Sequence, residues 1–544
     1  MTKARYVSAV VYGLVIAGLA LPVSGGIARS EVPLFENLGV LRHEITTHSD
    51  LAQKYFDQGL RLVYAFNHEE AIAAFTEASR LDPDAPMPYW GVALSLGPNI
   101  NAGMDSKAES RAVEAVQKAT ARLAQAAPKE RAYVEALAAR YSVKKTATRK
   151  GKDEAYAKAM RRLAHEYPED ADAGTIFAEA LMVLRPWDYW RADGRPQPGT
   201  EEIVTTLEAV LQHHPDHPGA CHYYIHAVEA SSDPQRGLPC AMRLPSLMPG
   251  AGHLVHMPAH IYMRVGRYRD ASERNANAAT VDQEYLLHHP LEGNYASGYY
   301  AHNLHFLNAS LVMEGRSAEA LQAARDLLSK ISVDEILKEP SLEWYAPTVL
   351  LTMARFGQWG ELIRQPPPPK ALRYTTGLWH YVRGLAFAAT TRFGSAEGEL
   401  SNLRKSLKGL ARAKTAEAKI SRTLLKIAER VLAGEIAARK GDFDAGIQAL
   451  REALQLESTV PYSEPPFWFQ PVRHNLGAVL LLAGRPGDAE SVYREDLRLN
   501  PENGWALHGL VHSLQAQRKD TAQESARLHS AWAQADVTLT GSRF

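Results

Sequence analysis

The stretch AQKYFDQGLRLVYAFNHEEAIAAFTEASRLDP, residues 52–83, decides the fold of this chain. Its small residue Gly59 is followed by Ala71 after twelve positions, Phe75 after sixteen and Pro83 after twenty-four. Two helices approach closely only where glycine or alanine replaces a larger side chain, and an aromatic ring then fills the adjacent space. The stretch therefore predicts a pair of packed helices that ends near Pro83.

The same pattern recurs along the chain. The spacing of residues 59–83 is repeated at Gly477, Ala489, Tyr493 and Pro501. More degenerate copies share a glycine in the predicted turn between two helices: Gly266, Gly315, Gly357, Gly441 and Gly484. The pattern resembles the tetratricopeptide repeat, 34 residues folded as two antiparallel helices. The sequence thus predicts an all-α fold of at least seven hairpins, and the resemblance implies a right-handed superhelix, or solenoid.

The helical pattern is interrupted at two places, which sets the expected organisation. Residues 29–48 are irregular, and LRPWDYWRADGRPQPGT at 184–200 contains too much proline and glycine for a helix. We expect a signal or anchor segment at 1–28, a lead-in at 29–48, hairpins at 49–183, an insertion at 184–200, histidine-rich hairpins at 201–330, and further hairpins with a capping helix at 331–535.

The N-terminal residues 1–28 read as an export signal. Lys3 and Arg5 precede an apolar stretch from about Val7 to Val23, and small residues follow. The alternative is an uncleaved anchor helix, since the stretch is near the lower limit for a membrane span. The protein is accordingly expected in a bacterial periplasm or secreted, or anchored in the inner membrane facing the periplasm, with membrane contact only if the segment is retained.

Charge and motif content exclude several classes of function. Lysine plus arginine equal aspartate plus glutamate at 61 each, so no net field attracts nucleic acid, and none is expected as a partner. The chain lacks a phosphate-binding loop, a dinucleotide fingerprint and a haem-attachment motif, so neither nucleotide nor haem is expected. Only Cys221 and Cys240 occur, and a disulfide between them is left open.

Histidines are concentrated in one part of the chain. Twelve of the 21 lie between residues 213 and 305, and the pairs His222/His226 and His256/His260 are each four apart, a spacing with which two imidazoles on one helical face can grip one ion. The candidate metal ligands are His222, His226, His253, His256, His260, His302 and His305. Glu229 shares the face of His222 and His226, and it is the candidate general base or the residue that orients a ligand. Imidazole ligands favour copper or zinc, in one or more ions.

The tetratricopeptide resemblance implies where these histidines point. Aligned on the turn glycine, His253, His256 and His260 fall on the single first helix of one repeat. His302 and His305 fall on the first helix of the next repeat, at positions that line the ligand groove in that family. The chain as a whole is similar to a group of bacterial exported tetratricopeptide proteins of unestablished activity, through blocks such as HPGACHYYIHAVEAS and GHLVHMPAHIYMRVGRY. The expected function is a scaffold that binds a protein or peptide in its groove and holds a histidine-ligated metal. The alternatives are a copper or zinc enzyme, a metal storage or delivery protein, and a metal-free polar groove.

Overall fold

A computed structural model describes residues 32–141, 148–191, 193–288, 295–410, 415–468 and 470–544. Over these residues the chain is built of helices and the loops between them, with a single isolated bridge, between Trp190 and Pro196, as its extended pairing. The all-α expectation is thereby confirmed. The signal or anchor segment at 1–28 lies outside the described residues. No helix within them is long and apolar enough to cross a membrane.

The chain forms two compact units. The first comprises residues up to Ile261 together with Asn277–Tyr300, and the second comprises Tyr262–Ala276 together with Ala301–Phe544. The helices before the boundary are α1 Asp50–Tyr64, α2 His68–Leu81, α3 Pro86–Ser95, α4 Ser106–Thr120, α5 Pro128–Arg140, α6 Arg149–Glu166, α7 Ala171–Val183, α8 Thr200–His213, α9 Pro218–Val228, α10 Leu238–Leu247 and α11 Gly252–His256.

Two helices cross the boundary between the units: α12 Pro258–Arg264 and α13 Tyr268–His288. The second unit continues with α14 Ala301–Glu314, α15 Ser317–Ser329, α16 Val333–Lys338, α17 Thr348–Arg355, α18 Trp359–Arg364, α19 Arg373–Ala389, α20 Phe393–Leu410, α21 Ala416–Arg439, α22 Phe443–Glu457, α23 Val472–Leu482, α24 Pro486–Leu499, α25 Gly504–Ala516 and α26 Ala522–Ala531. Short 3-10 turns at Pro234–Gly237 and Pro340–Trp344 and a π-turn at Ala296–Tyr300 complete the described helical segments.

The small-residue and aromatic pattern acts as predicted. Phe75 on α2 is fully buried, and a Cβ placed on Gly59 of α1 or Gly91 of α3 would lie 2.6 Å or 2.5 Å from its ring. Tyr493 on α24 has the same relation to the glycines at 477 and 509, whose added Cβ atoms would approach its ring to 2.3 Å and 2.1 Å. One aromatic ring thus locks three consecutive helices together, because the flanking helices offer it no side chain.

The turn glycines are also confirmed. All five have a positive φ, between 66° and 92°, at the junction of two helices: Gly266, Gly315, Gly357, Gly441 and Gly484. A residue with a side chain is strained there. The glycine positions therefore predicted these turns correctly, because glycine adopts a positive φ without strain.

Two details differ from a regular hairpin series. The expected single helix bearing His253, His256 and His260 is divided into α11 and α12, since Pro258 opens a new helix directly after Met257. Residues 184–199 lie between α7 and α8 without helix among those described.

Cys221 and Cys240 are both buried free thiols, and the neighbouring Cys240 together with burial raises the pKa of Cys221.

Candidate metal centre

Three short helices of the first unit carry the central histidines. Helix α9 opens at Pro218, a favoured first position, and presents His222 and His226 one turn apart, with Glu229 directly after its last residue. Helix α11 carries His253 and His256, and α12 carries His260. All six side chains are at most 3% exposed.

Five imidazoles form a closed ring, which we call the histidine ring: His222, His226, His260, His256 and His253. Neighbouring ring centroids in this order are 4.9, 5.4, 4.8 and 5.9 Å apart, and His253 returns to His222 at 4.9 Å. The sequence predicted that these residues would share a surface. The structure brings them together in the interior of the unit, where water does not compete for their nitrogens.

The carboxylate of Glu229 holds two of the imidazoles. Oε1 lies 2.9 Å from Nδ1 of His226, and Oε2 lies 2.5 Å from Nδ1 of His260. An ionised carboxylate only accepts hydrogen bonds, so both Nδ1 atoms carry their protons. Each ring must then present an unprotonated Nε2 in its neutral form. Carboxylates orient histidine ligands in this way beside many protein-bound metals.

A main-chain group fixes a third imidazole. Nδ1 of His222 donates to the carbonyl oxygen of Tyr64 at 2.6 Å, so its Nε2 is also a free lone pair in the neutral ring. Burial, followed by the neighbouring His226, holds the pKa of His222 well below its usual range. Burial also lowers the pKa of His226 to about 3. Both rings are neutral at ordinary pH, which is the form that binds metals.

The Nε2 atoms of the histidine ring cannot all be satisfied by one another. Those of His222 and His253 are 3.2 Å apart, and those of His256 and His260 are 2.9 Å apart. His253 and His256 can each donate one proton across these pairs. Nε2 of His226 is buried with no hydrogen-bond partner within the described part of the chain. Leaving such an acceptor unsatisfied costs about 1–3 kcal/mol.

The spacing of the donor atoms fits a transition-metal ion. Nitrogen ligands at about 2.0–2.1 Å in a tetrahedral arrangement lie about 3.3 Å from one another, close to the facing Nε2 separations. Each of two groups offers three ligand atoms, all within 4.8 Å of one another: His222, His226 and His253, and separately His226, Glu229 and His260. These clusters could hold a metal. His226 belongs to both groups, which makes it the centre of the candidate site.

Aromatic side chains enclose the histidine ring. Phe66, two residues after Tyr64, stacks on His253 at 5.5 Å, and Tyr299 packs on the same imidazole at 4.8 Å. Trp187, from the Pro/Gly-rich insertion, meets His226 edge-on at 4.9 Å, and its Nε1 donates to the carbonyl oxygen of Ile100. The insertion therefore supplies part of the wall. Sequence spacing offered no signal for Tyr64 or Phe66.

A second buried cluster beside the first hairpin has a structural role. Asp172 accepts hydrogen bonds from Nδ1 of His43 at 2.7 Å, the Tyr64 hydroxyl at 2.5 Å and Nε2 of His217 at 3.0 Å. Burial opposes the charge on Asp172, but His217 and His43 outweigh it and lower the pKa of its carboxyl. Burial likewise lowers the pKa of His43, whereas Asp172 raises it and prevails. This hydrogen-bonded network fixes the lead-in segment against α7 and α9.

The two remaining candidate ligands lie in the second unit. His302 and His305 are on α14, where His302 is half-buried and His305 is buried. The His305 imidazole packs edge-on against Tyr345 at 5.1 Å, and burial lowers its pKa to about 4. Their part in metal binding stays a prediction.

Comparisons with known proteins returned structural likeness alone. No protein-family model matches the chain, and no curated protein matches it. Among solved structures, it is similar to yeast Tom70, at 12% identity over 89% of this chain and 92% of that one, with a TM-score of 0.30. It is also similar to the human IFIT1 dimer with m7Gppp-AAAA, at 11% identity over 90% and 91%, TM-score 0.34. A third is the APC/C hetero-tetramer Cut9-Hcn1, at 12% over 88% and 96%, TM-score 0.24. Because these TM-scores are low, the assignment of the fold depends on the helix packing described above.

Proposed function

We propose that this chain is an exported helical-repeat scaffold whose first unit binds a copper or zinc ion in the histidine ring. The observation that carries the metal is the Nε2 atom of His226, which is buried with no hydrogen-bond partner in the described part of the chain, while Nδ1 of the same ring is engaged by Glu229. An ion at Nε2 would replace an unfavourable buried lone pair by a coordinate bond.

The ligand set supports copper or zinc. His222, His226 and His253 offer three imidazole nitrogens, and no thiolate or water-rich oxygen shell accompanies them among the described residues of the cluster. Imidazole suits zinc, copper, iron and nickel, whereas magnesium and calcium require oxygen ligands. Of the nitrogen-binding metals, copper has the highest intrinsic affinity, and zinc tolerates a four-coordinate site most readily.

Glu229 acts in this proposal as the residue that positions His226 and His260. Both of its carboxylate oxygens are engaged by Nδ1 atoms, an arrangement that keeps the two Nε2 atoms unprotonated and correctly aimed. A general base would need an oxygen free to take a proton from a bound molecule. The geometry therefore favours the orienting role of the two that the sequence left open.

An enzyme is the second candidate, and one observation favours it. Three imidazole ligands leave a fourth position, as in catalytic zinc sites. A cavity of about 20 Å³ adjoins His253 and is also lined by Tyr285 and Tyr295. That is room for one water molecule. Storage or delivery of the metal is the third candidate, and reversible binding without turnover would identify it.

The metal proposal is tested by elemental analysis of the full chain purified without a histidine tag. We expect copper or zinc at one equivalent or more in the native protein and a loss of at least half of it in His226→Ala. The matched control is His213→Ala with His214→Ala, because both of these side chains are exposed near the same helices. Metal at background level, even after incubation with each ion, would leave the histidine ring as a metal-free hydrogen-bonded core.

Export and partner binding are separate proposals. The basic and apolar residues of segment 1–28 support delivery to the periplasm, and cell fractionation of the full chain against one that starts at residue 29 tests this. The tetratricopeptide resemblance supports a protein or peptide partner. Cross-linking in the periplasm, followed by identification of the captured protein, tests it. Recovery of no protein above the level captured by an unrelated periplasmic protein would contradict the proposal.

A further inference from the structure

A second, larger cavity lies entirely within the second unit and is separate from the histidine ring. It measures about 350 Å³, at the small end of the range for small-molecule sites. Residues between Ser458 and Trp468, together with Pro471, line it from the proline- and aromatic-rich connection between α22 and α23, and residues of α12, α13 and α14 complete much of the lining. Nothing in the expected function uses this cavity.

Four aromatic rings contribute to its lining. Tyr268, Tyr462, Phe467 and Trp468 all face the cavity. Phe467 is held edge-on against Trp344 at 4.6 Å, and the Trp468 ring lies 5.6 Å from that of Tyr381. These contacts fix the walls without filling the space between them. Such rigid aromatic walls bind flat apolar groups, and their faces attract cations.

Three polar atoms at this cavity are buried and lack a hydrogen-bond partner among the described residues: Oε2 of Glu457, Nε1 of Trp468 and the hydroxyl of Tyr268. Trp468 is 8% exposed and Tyr268 is 5% exposed. Native proteins rarely leave such groups unsatisfied, and a bound ligand is one of the standard explanations. The carboxylate oxygen therefore lacks a hydrogen-bond donor, and the indole N–H lacks an acceptor.

The carboxylate of Glu457 is only loosely paired with Arg473. Arg473 approaches Glu457 no closer than 4.0 Å, and Arg264 lies at the same distance from Glu464. The Tyr462 hydroxyl donates to Glu464. Burial raises the pKa of Glu457 to about 7, a sign that its charge is poorly compensated. Both arginine side chains remain partly exposed, whereas Oε2 of Glu457 is buried.

We propose that this cavity binds a small organic amine of single-ring size, with its protonated amino group against Glu457, its apolar body between the aromatic walls, and an acceptor oxygen towards the indole N–H of Trp468. A cation is favoured over an anion because the unsatisfied charged atom is a carboxylate oxygen. A charge-assisted hydrogen bond in this enclosed setting is worth more than a neutral one. The site is independent of the metal.

Isothermal titration calorimetry of the full chain tests the proposal with three probes that share one ring: tyramine, 4-ethylphenol and 4-hydroxyphenylacetate. We expect tyramine to bind at one equivalent, at least tenfold more tightly than neutral 4-ethylphenol, and 4-hydroxyphenylacetate to bind no better than 4-ethylphenol. A preference for the anion would overturn the assignment, because the arginines would then be the recognising groups. Equal binding of the amine and the neutral probe, or no binding of tyramine at millimolar concentration, would overturn it too.

Variants locate the binding event. Glu457→Gln keeps the side-chain shape and removes the charge, so we expect tyramine affinity to fall at least tenfold while 4-ethylphenol is unaffected. The matched control is Glu452→Gln, because Glu452 lies on the same helix and pairs with Arg430 at 3.2 Å, away from the cavity. Trp468→Phe keeps an aromatic wall without the N–H, and a smaller loss is expected. Unchanged tyramine binding in a folded Glu457→Gln protein refutes the assignment.

Discussion

Replacing Glu229 by glutamine is the sharpest test of the histidine ring. The carboxylate accepts from Nδ1 of His226 and Nδ1 of His260 at once. Glutamine has one oxygen and one NH2 group, so it accepts from one ring and donates to the other. The ring that receives the NH2 must present an unprotonated Nδ1, and its own proton moves to Nε2. That Nε2 then cannot bind a metal.

The expected size of the effect follows from the loss of one oriented ligand. Removing the partner that orients a metal-binding histidine typically weakens metal affinity about 10–100-fold. This corresponds to about 1.4–2.7 kcal/mol of binding free energy. Glu229→Ala removes both orienting contacts and should bind metal more weakly than Glu229→Gln. His226→Ala should be the weakest, since it deletes the imidazole common to both candidate groups.

Competition titration against a chromogenic chelator measures these affinities for zinc and copper. The control is Glu208→Gln, a half-exposed carboxylate of the same unit that binds Tyr224 and Arg236. Circular dichroism confirms that each variant is folded. Wild-type affinity in Glu229→Gln would refute the orienting role. A loss in Glu229→Gln as large as that in His226→Ala would instead identify the carboxylate as a direct ligand.

Three further predictions concern stability. A copper or zinc concentration about 100-fold above Kd should stabilise the wild-type chain by about 2.7 kcal/mol. We expect a rise in Tm that a chelator reverses, that His226→Ala lacks and that the control with alanine at 213 and 214 retains. An unchanged Tm in the wild type would contradict the site. Burial raises the pKa of Glu457 from 4.5 to about 7, although the backbone N–H of Val472 and the charge of Arg473 lower it. The folded chain therefore binds more protons than the unfolded chain between these pH values, and its free energy of unfolding should fall as pH rises from 4.5 to 7. Glu457→Gln should remove this pH dependence and be more stable than the wild type at pH 8 by at most about 3 kcal/mol. Urea titrations of both chains at pH 4 and 8 measure this, and a variant whose pH profile runs parallel to that of the wild type would contradict the prediction. Gly91→Ala, whose Cβ would lie 2.5 Å from Phe75, should lower the free energy of unfolding by about 1–3 kcal/mol. Its control is Gly394→Ala, exposed on α20 with no atom within 4 Å, which should be neutral or stabilising. Equal Tm values for the two variants would show that Phe75 can move aside.

The hairpins could be predicted because their signals are local. A glycine at a crossing, an aromatic ring sixteen residues later and a turn glycine with positive φ are each dictated by the packing or the backbone within one repeat. The pairing of His222 with His226 is local in the same sense, because residues four apart share a helical face. These features required no knowledge of the tertiary structure.

Other features depend on contacts between distant residues. The tautomer of His222 is fixed by the carbonyl of Tyr64, 158 positions earlier. The break at Pro258 changes the direction from which His260 meets its neighbours, although a single helix was expected there. The cavity beside Glu457 arises where residues between Ser458 and Trp468 meet helices from other parts of the second unit. A pattern of residue types does not specify any of these approaches.

The double role of Tyr64 makes the histidine ring dependent on α1 and on the lead-in residue His43. Its carbonyl group orients His222, while its hydroxyl donates to Asp172, which also binds His43. A fragment that spans only the histidine-rich region would retain every imidazole of the ring and lose the group that sets the proton on one of them. During synthesis, the site can be completed only when residues near 260 have emerged and docked on a first hairpin that is already in place. Shortened versions of this protein designed to study the metal should therefore begin before residue 43.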